Sequence, residues 1–344
     1  MTHDLLVGKA PLRISFSGGG TDLASYYRKF EGRVVSATIN RFVHVQLNGR
    51  KDGRVNMKSD DYRTTLAFDS GEIPLPKPPF EIALSAMRIF SPRTGGLDMS
   101  IDSDAPPGSG LGSSGAMAVA MVDILSSNAG KCLTRYEIAE KAYEIGHDTL
   151  RLPIGKQDEY ASAFGGMNEF IFTRKEVEVR PLIRDPESLA NLERNLMLFY
   201  LCETREASEI LRVQDERTRR EDPDIMEALH RSREFAVECR KAIESGDVQD
   251  LGRLLDCSWQ QKKKYTEKVT NARVDLAYQT AIRAGAYGGK LTGAGGAGHL
   301  LLCCAPESQR KVEESMSALG VKRVNFRVEP NGVSIEDGES TADR

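Results

Sequence analysis

The sequence predicts an α+β protein of two domains, and three observations lead there. At 344 residues the chain exceeds the roughly 250 at which a single hydrophobic core stops growing. Its first part carries β-type alternation interrupted by helical stretches, without the regular strand–helix alternation of a parallel sheet. Its composition changes near residue 184, where the polar stretch RDPESLANLERN leads into long charged segments of helical character.

Residues 5–16 and 33–48 are rich in Val, Ile and Phe and alternate apolar with polar, which predicts strands, and 98–102 (DMSID) reads as another. After a glycine-rich stretch at 106–115, residues 116–126 and 134–146 space their apolar side chains as helices do, and 168–173 returns to a strand. Beyond residue 184 a strand is expected at 196–201, then helices as far as about 285. The tail from 336, EDGESTADR, is acidic and polar with nothing to bury, so disorder is expected there. The expected division is therefore 1–184, 185–335 and a disordered 336–344.

Composition narrows the function. A formal charge of −3 with 28% charged residues offers no basic excess to attract nucleic acid, which leaves a small molecule as the expected partner. The six cysteines form no CxxC pair and the five histidines no HxH or HxxxH pair, so neither a zinc site nor a disulfide framework is expected. No run reaches the roughly 18 apolar residues of a membrane span, and the N-terminus carries no leader pattern, which predicts a cytoplasmic protein.

The sharpest motif is Pro106-Pro107-Gly108-Ser109-Gly110-Leu111-Gly112-Ser113-Ser114, lying between a predicted strand and a predicted helix. Three alternate glycines let backbone amides approach an anion, and Ser113 or Ser114 can cap the helix whose N-terminus faces it. No GxxxxGK[ST] occurs, and the third glycine comes one residue too early for GxGxxG. Gly112-Ser-Ser-Gly-Ala116 loosely matches the nucleophile elbow of a serine hydrolase with Ser114 at its tip, a reading that would need a late histidine, and His299 lies in a strand-like run. Two further glycine-rich segments are Gly18-Gly19-Gly20-Thr21-Asp22, shortly after Arg13, and Gly289–Gly298, which includes Gly293, Gly295 and Gly296. Three such segments far apart in sequence suggest loops converging on one polyanion.

In the order and flanks of these motifs the chain resembles the GHMP kinases, over residues 8–330. The resemblance implies an N-terminal mixed domain containing a βαβ unit, a ferredoxin-like C-terminal domain, and ATP in the cleft between them. Within the family the likeness is to kinases of D-glycero-D-manno-heptose 7-phosphate, carried by PLRISFSGGGTDLASYY, by Ile154-Gly-Lys-Gln-Asp158 with AFGG at 163–166, and by Trp259 followed by Lys262 and Lys263. It implies transfer to the anomeric hydroxyl, giving the 1,7-bisphosphate. Asp158 would stand beside the accepting hydroxyl with Arg13 next to it. Asp22, Thr21, Gly18 to Gly20, Lys156 and Gln157 would form the sugar site together with the third glycine segment; in the first segment two bulky residues of the galactokinase motif give way to Gly19 and Gly20, which would leave room for a larger sugar. Arg205 and Lys262 to Lys264 would meet a substrate phosphate. Magnesium is implied as well, held by Ser114 and by a glutamate from the preceding helix. Gly146 stands where that glutamate is expected, between Glu144 and Asp148, and Asp148 is the candidate in its place. A kinase for an unphosphorylated sugar of the fucose, mannose or galactose type, a hydrolase using Ser114, and a non-catalytic sugar-binding protein are the alternatives. Either a monomer or a homodimer is compatible with the sequence.

Overall fold

The structure, a computed structural model, describes residues 5–90, 96–183, 185–201 and 207–338. In chain order the first half contains β1 (Leu5–Ser17), α1 (Ala24–Phe30), β2 (Gly32–Arg50), β3 (Arg54–Ser59), β4 (Thr64–Asp69), α2 (Glu81–Ile89), β5 (Gly96–Ser103), α3 (Ser113–Asn128), α4 (Arg135–Glu144), a π-helical turn (Ile145–Thr149), α5 (Gln157–Phe164), β6 (Met167–Phe172) and β7 (Val177–Pro181). The second half contains α6 (Pro186–Arg194), β8 (Leu196–Tyr200), α7 (Ala207–Arg219), α8 (Pro223–Ser245), α9 (Val248–Lys262), a 3₁₀ turn (Glu267–Val269), α10 (Ala272–Ala284), β9 (Gly288–Leu291), β10 (His299–Cys303), α11 (Pro306–Ser317), β11 (Lys322–Val324) and β12 (Ser334–Asp337).

The first sheet runs β12-β1-β2-β5-β3-β4, with β6 and β7 branching from β2. The length of β2 makes this possible: Gly32 to Ala37 pair with β6, and Val43 to Arg50 pair with β5. Its pairs are antiparallel except β3 with β5. Parallel neighbours need a crossover connection, and α2 lies in it. The second sheet, β11-β8-β10-β9, is wholly antiparallel.

Local chemistry sets the helix ends. Thr134 and Glu137 form a capping box at the start of α4. Asp222 caps α8 ahead of Pro223 in its first turn, and Gly246 closes that helix in the left-handed region. Asn271 accepts from Val274 N at the start of α10.

Period-two alternation places Leu196 and Leu198 of β8 on one face of the second sheet and Met197 and Phe199 on the other. The first pair, with Leu301 and Cys303, joins the core that also contains Leu12, Ile14 and Leu251, while Met197, Phe199, Leu300 and Leu302 pack with residues of α10 and α11. One apolar core therefore spans both halves of the chain. The composition shift near 184 marks a change of surface character, while the interior is continuous across it.

The long elements match their expected spans. Strands β3, β4 and β7 were not expected; β4 exposes alternate residues along its length, which leaves a weak apolar signal. The expectation of disorder from residue 336 fails at its start, because Glu336 and Asp337 pair with Val7 and Leu6, and Lys9 bonds the Glu336 carboxylate. Backbone pairing and an ion pair hold a segment that has no apolar side chain of its own. Among the described residues no helix is long and apolar enough to cross a membrane, and Cys132, Cys239, Cys257, Cys303 and Cys304 are free thiols.

Candidate active site

The glycine-rich loop joins β5 to α3, with Gly108, Gly110 and Gly112 at positive φ. Gly112 is the N-cap of α3, and no side chain caps the helix. Ser113 and Ser114, expected as caps, are instead its first helical residues. The first-turn N–H groups are thus without a side-chain acceptor, as an anion-binding helix end requires. Pro107 lies in the turn that Ser109 N closes on Pro106 O, and the buried Ser109 hydroxyl has no partner. Leu111 is buried and its carbonyl accepts from Arg13 N.

The third glycine segment lies directly against this loop. A Cβ at Gly293 would stand 2.5 Å from Gly110 Cα, and one at Gly110 would stand 2.9 Å from Thr292 O. Only glycine lets the two backbones approach so closely. His299 Nδ1 bonds Ser109 O at 2.8 Å, Gly296 N bonds Val269 O, and a Cβ at Gly295 would meet that same carbonyl at 2.8 Å. Lys262 at the end of α9 donates to Leu291 O at 3.0 Å and to Gly293 O. Burial, followed by Lys290 and Arg13, pushes the Lys262 amine well below its usual range. Two of its N–H donors hold the third loop in place.

Arg13 connects these loops to the carboxylate. Its Nε donates to Asp158 Oδ1 at 2.8 Å, its NH2 group lies 2.7 Å from the same oxygen, and its NH1 group donates to Gly110 O at 2.7 Å. Only 4% of the arginine side chain is exposed, against 28% of Asp158. A planar fork of this kind fixes an oxygen's position in a way a flexible lysine cannot. Asp158 lies in the first turn of α5 and packs against Gly115 in the first turn of α3, where a Cβ would stand 2.6 Å from Asp158 Cβ.

The first glycine segment forms the neighbouring wall. Asp22 accepts from Gly20 N at 2.8 Å and from Gln157 N at 3.2 Å. Burial, then the charge of Asp158, raises its pKa. Thr21 donates to Gly18 O and accepts from Arg33 N, which fixes the turn. A Cβ at Gly19 would meet Gln157 Nε2, Ser15 Oγ and Gln157 Oε1 at 3.5, 3.7 and 4.0 Å. At Gly20 the expected room for a larger sugar is absent: a Cβ there would overlap Gln214 Nε2 and crowd Tyr265 and Leu229 of the second half. Lys156 is engaged elsewhere. Both Glu140 oxygens hold its ammonium, at 2.6 and 2.7 Å, and the rings of Tyr27, Tyr143 and Tyr160 surround it.

The metal expectation finds less support. Ser114 is exposed at the loop, where a hydroxyl ligand would fit, but Asp148 is 58% exposed and its carboxylate bonds His147 Nδ1 at 2.7 Å. Among the described residues no group of three His, Cys, Asp or Glu side chains could hold a metal ion. At Gly146 a Cβ would overlap only the tip of the Ile154 side chain, at Cδ1. Arg205 lies outside the described residues. The hydrolase alternative lacks its base, because His299 is buried against Tyr200 and bonded to the Ser109 carbonyl.

Sequence reasoning missed Gln214, Glu159 and Lys290. Glu159 adjoins Asp158 and is buried, with one carboxylate oxygen unpartnered; burial and the Asp158 charge raise its pKa well above the carboxylate range. Lys290 is buried in β9, and burial pushes its pKa down to about 8. For Lys290 the signal available in the sequence was a charged residue inside a glycine and apolar run, whereas Gln214 and Glu159 lie among polar residues and carried none.

Comparison with known proteins identifies the family. Residues 81–166 match the GHMP kinases N terminal domain and residues 239–322 the GHMP kinases C terminal domain. The chain is 33% identical over 304 residues to the D-glycero-alpha-D-manno-heptose 7-phosphate kinase of Campylobacter jejuni, covering 87% of this chain and 89% of the relative. It superposes on the crystal structure of a D-glycero-D-manno-heptose 1-phosphate kinase from Bacteroides thetaiotaomicron with a TM-score of 0.80 and 26% identity, covering 97% of this chain and 100% of the other. The structure of a putative sugar kinase from Campylobacter jejuni gives a TM-score of 0.79 at 29% identity, covering 98% and 99%.

Proposed function

The chain belongs to the GHMP kinases, and from that premise we propose that it transfers the γ-phosphate of ATP to the anomeric hydroxyl of D-glycero-D-manno-heptose 7-phosphate. The product is the 1,7-bisphosphate. Two of its relatives are named for this heptose, although their names differ in the phosphate position they state. Galactokinases and mevalonate kinases are also relatives, at 25% to 29% identity.

The observation that carries the reading is the bridge made by Arg13 between the Asp158 carboxylate and the carbonyl of Gly110. Phosphoryl transfer asks a protein mainly for position and charge, since its transition state is loose. Loop amides from Gly108 to Gly112 and the first turn of α3 would cradle the phosphates, with Gly293, Gly295 and Gly296 closing the other side. Asp158, steadied by Arg13, would accept the hydrogen bond of the attacking hydroxyl and direct a lone pair at the γ-phosphorus. Asp22, Thr21, Gln157 and Gly18 to Gly20 would bind the sugar hydroxyls. Magnesium, when bound, neutralises charge on the phosphates. Ser114 fits as its protein ligand, and the Asp148 carboxylate is hydrogen-bonded to His147 through one of its oxygens.

A kinetic comparison of phosphorylated and free sugars tests the reading. We expect kcat/KM for the heptose 7-phosphate to exceed that for the free heptose, and equal values would remove the 7-phosphate from the proposal.

A further inference from the structure

The turn at Gly19 and Gly20 gathers buried polar atoms that have no partner. Ser15 Oγ, Gln157 Oε1 and Gln214 Nε2 are all unpaired, and a Cβ added at Gly19 or Gly20 would meet each of these three side chains. They come from β1, α5 and α7, so both halves of the chain contribute. An unpaired buried polar atom costs stability and is uncommon in folded proteins. Three at one glycine turn, with hydroxyl, carbonyl and amide character, complement a polyol whose hydroxyls both donate and accept.

Gln214 is the contribution of the second half. It lies in the middle of α7 and is 3% exposed. Tyr265 fixes its surroundings by donating to Gly19 O at 3.2 Å, and the Tyr265 hydroxyl also bonds Ser232 Oγ at 2.7 Å. Those backbone and hydroxyl groups are satisfied within the protein, whereas the Gln214 amide is left with a donor to give. The absent side chain at Gly20 lets that amide reach the turn.

We propose that Gln214 is a substrate-contact residue that donates a hydrogen bond to an oxygen of the sugar, so that α7 sets specificity from the second half. The inference rests on the reading of Gly18 to Asp22 as the sugar side of the site. The acceptor is either a hydroxyl or a phosphoryl oxygen.

The test uses the full chain and two variants, Gln214→Leu, which removes the donor at similar volume, and Gln214→Glu, which keeps the shape and replaces the donor with an acceptor. Sugar and ATP KM are measured with D-glycero-D-manno-heptose 7-phosphate and with the free heptose, and melting temperature is measured without ligand. We expect the sugar KM to rise on the order of 10- to 100-fold in both variants, the ATP KM to stay within about twofold, and the melting temperature of Gln214→Leu to hold or rise, because an unpaired donor has gone. A penalty on both sugars assigns a hydroxyl acceptor, and a penalty on the phosphorylated sugar alone assigns a phosphoryl oxygen. A sugar KM unchanged in both variants overturns the inference, as does an equal rise in both KM values with a lower melting temperature, the mark of a structural glutamine. If the wild type uses another sugar, the heptose reading fails, and the same comparison on that sugar still decides the role of Gln214.

Discussion

Replacing Gly293 by alanine tests whether the close approach of two loops matters to the chemistry. Gly293 has φ +66°, and an added Cβ would stand 2.5 Å from Gly110 Cα and 2.9 Å from Gly110 O. Carbon atoms in contact prefer about 3.5 Å, so the loops must part by about 1 Å. The left-handed conformation alone costs alanine about 1–2 kcal/mol. A displacement of about 1 Å at a reacting centre costs about 100-fold in rate. We expect kcat to fall by about that factor with a raised ATP KM, measured by steady-state ADP release on protein whose fold is verified by circular dichroism. Gly246→Ala is the control, since Gly246 has φ +71° and nothing within 4 Å of its added Cβ. It should lose about 1–2 kcal/mol of stability and keep wild-type kinetics. Wild-type kcat and ATP KM in Gly293→Ala would refute the argument that this contact sets the phosphate site.

Three further perturbations follow from the geometry. Asp158→Asn keeps the shape and removes the charge that Arg13 faces; kcat should fall by about 100-fold or more while the ATP KM changes little, and near-normal turnover would remove Asp158 from its role. Asp148→Ala should leave the magnesium concentration for half-maximal rate unchanged, because its carboxylate is bonded to His147; a clear shift in a metal titration would restore it as a ligand. Lys290 has a folded pKa of about 8 against an ordinary 10.5, so between these values the unfolded chain binds more protons and stability rises with pH. The full rise is on the order of 3 kcal/mol, and urea unfolding of Lys290→Met should lack it; parallel pH profiles for variant and wild type would contradict the assignment.

Much of this site was legible because its chemistry is written in glycine. Gly108, Gly110 and Gly112, Gly18 and Gly20, and Gly293, Gly295 and Gly296 stand at positive φ where backbones approach one another or an anion, and that demand disfavours other residues. The convergence of the three segments and the long elements of the fold follow from local signals, whereas the pairing of Arg13 with Asp158 was implied by the resemblance to the GHMP kinases. The tail was misread because Glu336 and Asp337 are held by backbone pairing with β1, which leaves no mark on side-chain hydropathy. The structural bonds of Lys262 were hidden because a surface run, Lys262 to Lys264, gives no sign of one member that turns inward to carbonyls about 30 residues away. The room expected at Gly20 is filled by Gln214, nearly 200 residues later, and no local pattern reveals which distant side chain fills a gap. Strand β3 and the edge strand β4 beside it alternate with too little apolar contrast to be seen.

The most direct measurement is ADP release with ATP and magnesium across a panel of D-glycero-D-manno-heptose 7-phosphate, free mannose, fucose and galactose. The account predicts turnover with the phosphorylated heptose and little with the others. Turnover of a free sugar alone would keep the kinase and contradict the assigned substrate, and no turnover with any of the four would contradict the assignment of a sugar acceptor from this panel.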